Sequence, residues 1–334
     1  MQVQVWLQKT MVFQKDNFSD TFTETAFAKT LSGNIMKVNK YTAKTNEEWR
    51  YERSKSIGAS AVGAIIGVDY FRTPLQVART MRDELNGIFN FEETLAMKRG
   101  HAYEGGVAEL FSWKTGKQII ASSGAEYLLR RDDIPFMHAS PDRIFWVDED
   151  GAKHGKQSEL NKGILECKTT RMPVDADNLP VKWIFQLQVQ MGISGYHHGA
   201  IAWDVLTSAD GFGYRFFDFN EEIFNAAVEA CRHFWERCIE GDEDPEPVNA
   251  SDILLLYPQH TVGKTITVNN ATTTAISELK ELKDAKKKLE EAIDQYADRL
   301  KAQFTDEEAM VDNTGRVLCT FKTNSRGQRQ FLVK

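Results

Sequence analysis

Apolar and polar residues change rhythm several times along the chain, and each change predicts an element. Helical spacing covers 46–55 and 60–67, with Ser60 available as an N-cap, and Pro74 suits the first position of a helix running to about Leu85. Residues 92–116 predict a long helix with Leu95, Val107, Leu110 and Phe111 on its apolar side and Gly116 past its end. Short apolar runs then predict strands at about 118–121, 125–130, 136–139 and 142–148, a polar hairpin loop over 148–162, and a strand over 163–169. A helix over 180–195 and strands near 199–206 and 213–219 follow. The helix over 221–240 repeats Ile223, Phe224, Ala227, Val228, Cys231, Trp235, Cys238 and Ile239 at helical spacing, and Gly241 stops it. Helices and strands mixed in this order predict an α/β fold.

Both ends depart from this pattern. Residues 1–45, rich in Thr and Asn without sustained periodicity, predict a weakly ordered leader, with Met36 as an alternative start. The acidic, proline-bearing segment Glu240 to Pro247 predicts a boundary between a core over 46–245 and an extension over 246–334. The extension predicts a charged helix over 275–304, whose narrow stripe of Leu279, Leu282, Leu289, Ile293, Tyr296 and Leu300 suggests a helix hairpin or coiled-coil arm. Strands over 311–334 follow, with turns at Asn313–Gly315 and Asn324–Gly327. The last 22 residues hold five basic and no acidic side chains. That suits DNA contacts, an oligomer interface, a partner-docking surface, or a stabilising appendage with a solvated basic face.

Bulk composition narrows the classes. The 334 residues, 42% hydrophobic and 27% charged, allow a large core and roughly two domains. No apolar run approaches the ~18 residues of a membrane span, and the N-terminus lacks a secretory pattern, so a cytoplasmic protein is expected. A net charge of −7 argues against binding nucleic acid by bulk charge, but not against an enzyme with basic residues concentrated in a channel. Cys167, Cys231, Cys238 and Cys319 form no C-x-x-C pair, which excludes common zinc-ribbon and iron–sulfur spacings and predicts reduced core thiols.

Candidate chemistry lies at Asp142 and, after a 23-residue gap, Glu166-Cys167-Lys168. Two neighbouring strands bring these together, because residues two apart on a strand share a face. Two carboxylates and an ammonium at one place are costly unless a divalent metal and an anionic substrate complete the charge balance, an arrangement suited to metal-assisted phosphodiester hydrolysis. Glu104, in Arg99-Gly-His-Ala-Tyr-Glu104, is a candidate third carboxylate, and the Cys167 carbonyl a further ligand. Lys168 would orient water or stabilise developing charge. On the 180–195 helix, Trp183, Ile184, Leu187 and Met191 define the expected buried face with Gln188 at its edge, while Gln186 and Gln190 project elsewhere. Gln188 needs a partner: a metal-bound water or phosphate, or a sheet-edge backbone group. Ser140 borders Asp142, and His138 and the His197-His198 pair are expected to be structural.

Arg53 to Ser60, Arg99 to Glu104, Ala139-Ser-Pro-Asp142, Leu165-Glu-Cys-Lys168 and Gln186 to Met191 together resemble, in order and spacing, the lambda-exonuclease (YqaJ-type viral recombinase) branch of the PD-(D/E)XK nucleases over about residues 46–240. The resemblance implies a restriction-endonuclease-like core, a mixed central sheet flanked by helices, with a C-terminal helical and β extension. It implies that Asp142 and Glu166 bind metal, that Glu104 assists and that Lys168 is catalytic. Gln188 matches the last motif, with Gln186 as the alternative, and Arg53, Ser60 and Ser140 match positions that hold a 5′-terminal phosphate. The implied cofactor is Mg²⁺, with Mn²⁺ as a substitute. The implied activity is 5′→3′ digestion of one strand at double-stranded DNA ends by a two-metal mechanism, leaving 3′ overhangs for a single-strand annealing protein. A trimeric ring in a bacterial host, encoded by a phage or prophage, completes the expectation. A PD-(D/E)XK endonuclease, a CRISPR-associated nuclease (disfavoured by the missing cysteine cluster) and a non-catalytic DNA-binding recombination scaffold are the competing readings.

Overall fold

The computed structural model describes residues 37–43, 45–90, 93–120, 127–148 and 161–334. The expected leader up to residue 36 and most of the 148–162 loop lie outside the described residues. Two compact units divide after Pro258.

In chain order the first unit contains β1 (Val38–Thr42), α1 (Asn46–Ser54), β2 (Ile57–Gly58), a 3₁₀ turn (Ala59–Ala61), α2 (Val62–Ile65), α3 (Pro74–Leu85), α4 (Leu95–Thr115), β3 (Ile119–Ile120), β4 (Tyr127–Arg131), β5 (Ile134–Ala139) and β6 (Arg143–Trp146). It continues with β7 (Lys162–Thr170), α5 (Val181–Ser194), β8 (His198–Val205), β9 (Phe212–Asp218), α6 (Glu221–Phe234), a π-helical stretch (Trp235–Glu240) and α7 (Ala250–Leu256). The helix ends follow local chemistry. Thr73 and Gln76 form a reciprocal capping box with Pro74 in the first turn of α3. Thr94 caps α4, and Gly116, at φ 71°, ends it in a left-handed conformation suited to glycine.

Two sheets organise this unit. One has the order β1-β4-β5-β2 and the other β3-β6-β7-β8-β9. In the second, β7 runs parallel to β8 and antiparallel to β6, so the sheet is mixed. The parallel crossover from β7 to β8 contains α5, which lies on one face of the sheet. There Leu187 and Met191 join Ile164, Ile201 and Trp203. On the opposite face, Val107 and Phe111 of α4 pack with Phe145, Leu165, Ala200 and Ala202. A further side of α5, carrying Phe185, Val189 and Ile193, packs with Ile57, Met137 and Phe224. The α/β architecture is therefore the expected mixed sheet flanked by helices, with α5 wedged at its centre.

The expected boundaries need correction at both ends of the core. Val38–Thr42, placed in the leader, is a strand paired with β4 from Val38↔Arg131 to Thr42↔Tyr127. The acidic segment after residue 240 is not a free linker, because Asp244 accepts hydrogen bonds from Arg79 Nε at 3.1 Å and Arg82 Nη1 at 2.7 Å. Fully buried Asp252 then accepts from Thr73 Oγ1 at 2.7 Å and Val248 N at 3.0 Å, tying α7 to the start of α3. Acidic composition marked a boundary where arginine partners, remote in sequence, hold the segment down.

The second unit has α8 (Asn270–Lys301) followed by β10 (Ala309–Val311), β11 (Val317–Thr323) and β12 (Arg329–Val333) in one antiparallel sheet. α8 starts five residues before its expected position because Asn269 accepts a cap bond from Thr272 N at 2.9 Å. Phe304 packs edge-on against Phe321 at 5.7 Å, and Arg329 stacks over Phe321 at 4.2 Å. Among the described residues, no helix is long and apolar enough to cross a membrane.

Asp252→Ala leaves the Thr73 hydroxyl and the Val248 amide without their acceptor. It is expected to lower unfolding free energy by about 2–3 kcal/mol in urea titration. A chain ending at residue 245 should lose stability likewise, whereas one ending at residue 258 should retain it.

Candidate active site

β7 alternates its side chains between two helices. Leu165 and Cys167 face α4, while Ile164, Glu166 and Lys168 face α5. Antiparallel pairing of Arg143 with Leu165 carries Asp142, the residue before β6, to the level of Glu166. Asp142 Oδ2 accepts from Cys167 N at 2.7 Å, which fixes the carboxylate at the strand junction.

Glu166 is 2% exposed and fully engaged. Its Oε1 accepts from Lys168 Nζ at 2.6 Å and Gln186 Nε2 at 2.6 Å, and its Oε2 from Gln190 Nε2 at 2.8 Å. Lys168 also donates to Gln186 Oε1 at 2.9 Å. Gln186 and Gln190, four apart, share the α5 face turned to the sheet.

Gln188 does not reach this site, contrary to expectation. Its Nε2 donates to the Asp218 carbonyl at 3.0 Å, and its Oε1 accepts from Asn220 N at 2.7 Å. The sheet-edge backbone, the alternative partner, is the one found. The single buried face assumed for this helix is absent, because α5 is buried on several sides by both sheets and α6. The i,i+4 spacing of Gln186 and Gln190 was the overlooked signal.

Glu104 extends from α4 onto Arg143 Nη1, which also donates to the Asp142 carbonyl at 2.6 Å. It therefore influences Asp142 through charge, while its side chain is held by an arginine that sequence reasoning missed. Burial, followed by repulsion from Glu166 and Glu104, raises the Asp142 pKa well above the ordinary carboxylate value, against the opposing pull of Lys168 and the Cys167 N–H. Burial works against the charge of Lys168, but Glu166 and Asp142 outweigh it, and its pKa lies above normal. The Cys167 thiol is pushed up by burial and by Asp142, Glu166 and Glu104, so it stays neutral among the α4-facing apolar residues.

Among the described residues, no three His, Cys, Asp or Glu side chains gather closely enough to hold a metal ion. The expected convergence of Glu104 with Asp142 and Glu166 is thus replaced by the Glu104–Arg143 pair. Asp142, Glu166 and the Cys167 carbonyl nonetheless fit a hard divalent ion in kind, since they supply oxygen donors and excess negative charge. Two buried oxygens nearby, Ser140 Oγ and Gln190 Oε1, have no hydrogen-bond partner, as suits a site that takes up a hydrated ion or phosphate.

Ser140, Ser60 and Arg53 come from elements that the first sheet aligns. Parallel β2 and β5 pair Gly58 with His138, so Ser60 and Ser140 both lie two residues beyond that pair. Ser60 is exposed in the 3₁₀ turn, and exposed Arg53 lies over the Trp49 ring at 5.8 Å. Below them, Arg130 Nε donates to Ser56 Oγ at 3.1 Å, and Ser56 Oγ lies 2.9 Å from His138 Nδ1. Burial, reinforced by Arg53 and Arg130, lowers the His138 pKa to about 3.

Comparison with known proteins follows this geometry. Residues 48–197 match the YqaJ-like viral recombinase domain family. The "Uncharacterized protein YqaJ" of Bacillus subtilis (strain 168) is 25% identical over 205 residues, 60% of this chain and 59% of that relative's length. Among solved structures, an alkaline exonuclease (LHK-Exo) from Laribacter hongkongensis aligns with 16% identity and a TM-score of 0.45, over 59% of this chain and 94% of that one. A phage related exonuclease from Haemophilus somnus 129PT aligns with 12% identity and a TM-score of 0.39, over 58% of this chain and 100% of that one.

His138 is depressed from 6.5 to about 3, so its contribution to stability is complete above pH 6.5 and is lost as pH falls toward 3. Replacement by Gln should flatten the acid limb of the stability profile by up to ~1.4 kcal/mol per pH unit in that window, measured by denaturant titration of both proteins.

Proposed function

From the match of residues 48–197 to the YqaJ-like viral recombinase domain, we propose that the chain is a Mg²⁺-dependent exodeoxyribonuclease that digests linear double-stranded DNA from the 5′ end. The domain match supports a nuclease. The observation that carries the finer reading is the β6–β7 register, which sets Asp142 against Glu166 with Lys168 bonded to the latter.

Asp142, Glu166 and the Cys167 carbonyl would hold the divalent ion, with Mn²⁺ able to substitute for Mg²⁺. When bound, the ion polarises the scissile phosphate and makes water a better nucleophile. Lys168, held protonated by its carboxylate neighbours, stabilises negative charge at the phosphate rather than accepting a proton. Gln186 and Gln190 fix the orientation of the Glu166 carboxylate. Arg53, Ser60 and Ser140 receive the 5′-phosphate, and the Ser140 hydroxyl has no competing partner. Affinity then comes from local phosphate contacts, consistent with a chain of net charge −7, and falls with salt. The same reading includes a ring-shaped homo-oligomer and a single-strand annealing protein that takes the 3′ overhang.

Strand-specific labelling of linear duplexes with and without a 5′-phosphate tests this directly. Loss of label from 5′-phosphorylated ends in Mg²⁺, with covalently closed circles left intact, is the expected result. Lys168→Ala should lower kcat by about 10²–10³-fold. Equal cleavage of closed circles, or full activity in Lys168→Ala, would sink the assignment. Gln186→Ala and Gln190→Ala should lower kcat, whereas Gln188→Ala should lower the melting temperature and leave kcat nearly unchanged.

A further inference from the structure

The long helix of the second unit carries an association code of its own. None of the residues of α8 is buried, and Leu279, Leu282, Leu289, Ile293 and Tyr296 are each more than half exposed. Together with Lys286 and Leu300 they alternate at spacings of three and four. This is an a/d seam in which a is Leu279, Lys286, Ile293 and Leu300, and d is Leu282, Leu289 and Tyr296. The flanking e positions carry Lys283 and Glu290, and the flanking g positions carry Glu278 and Arg299.

We propose that α8 pairs with α8 of a second copy of this chain as an antiparallel coiled coil. Charge selects the orientation. In a parallel pair, Lys286 would meet the partner's Lys286 inside the seam. In the antiparallel pair it faces the partner's Leu289, and its ammonium stays 3.6 Å from the exposed Glu290 of its own helix. Charge also selects the register. When Leu279 sits against the partner's Tyr296 and Leu282 against the partner's Ile293, Lys283 adjoins the partner's Glu290 and Glu278 adjoins the partner's Arg299. The two-fold axis repeats both contacts. Sliding one heptad in one direction sets Lys283 against the partner's Lys283, and in the other direction sets Glu290 against the partner's Glu290. Opposite charges on both flanks thus coincide with apolar layers in one antiparallel register. The occupant that fits the stripe is the same helix reversed, independently of the nuclease reading.

Sedimentation of the full-length chain should give even-numbered assemblies, and Leu282→Asp with Ile293→Asp should halve the assembled mass. Lys283→Glu or Glu290→Lys alone should raise the dissociation constant about tenfold, and combining them should restore it. A chain carrying Leu282→Cys and Ile293→Cys should form a covalent dimer, with the bond between positions 282 and 293 identified by peptide mass. Ready cross-linking of Leu289→Cys alone would show a parallel pair and overturn the proposal. So would a mass indifferent to the two aspartates, or charge reversals that fail to compensate one another.

Discussion

Glu166 is a carboxylate enclosed between a sheet and a helix, and much of the first unit is arranged around its hydrogen bonds. Removing a charged group from water is costly unless its lone pairs are met. Lys168 meets them from the same strand, and Gln186 and Gln190 meet them from the helix that connects β7 to β8. The Asp142 carboxylate, by contrast, takes a single backbone N–H and feels two other carboxylates. The site therefore contains one satisfied carboxylate and one under electrostatic pressure.

The helix that supplies the glutamines is also where the two sheets meet. Gly192 lies so close to the Phe224 ring that an added Cβ would come within 2.3 Å of it. Such contacts fix the rotation of α5 about its axis, and with it which glutamines reach Glu166. Packing remote from the carboxylates thus sets their local chemistry. Deforming that packing displaces Gln186 and Gln190 together, because both project from one rigid helix.

The second unit follows another logic. Its aromatic cluster of Phe304, Phe321 and Phe331, with Arg329 stacked across it, gives a small core to the sheet. Its helix keeps its apolar stripe in solvent. The α8 stripe and the carboxylates of β7 thus belong to different units of the chain.

The sequence alone determined which side chains of β7 share a face. Alternation along Ile164 to Lys168 separates Glu166 and Lys168 from Cys167 through the geometry of an extended chain. It likewise determined the α/β order, the stop at Gly116 and the stripe of α8, all of which depend on neighbours within a few residues. Only the tertiary structure decided that Gln186 and Gln190, rather than Gln188, reach Glu166, that Arg143 takes Glu104, and that Asp244 and Asp252 bind the segment after residue 240 to the core. Each of those outcomes depends on partners 20 or more residues away along the chain, or on the rotation of a helix buried on several sides. Periodicity within a segment contains no record of either.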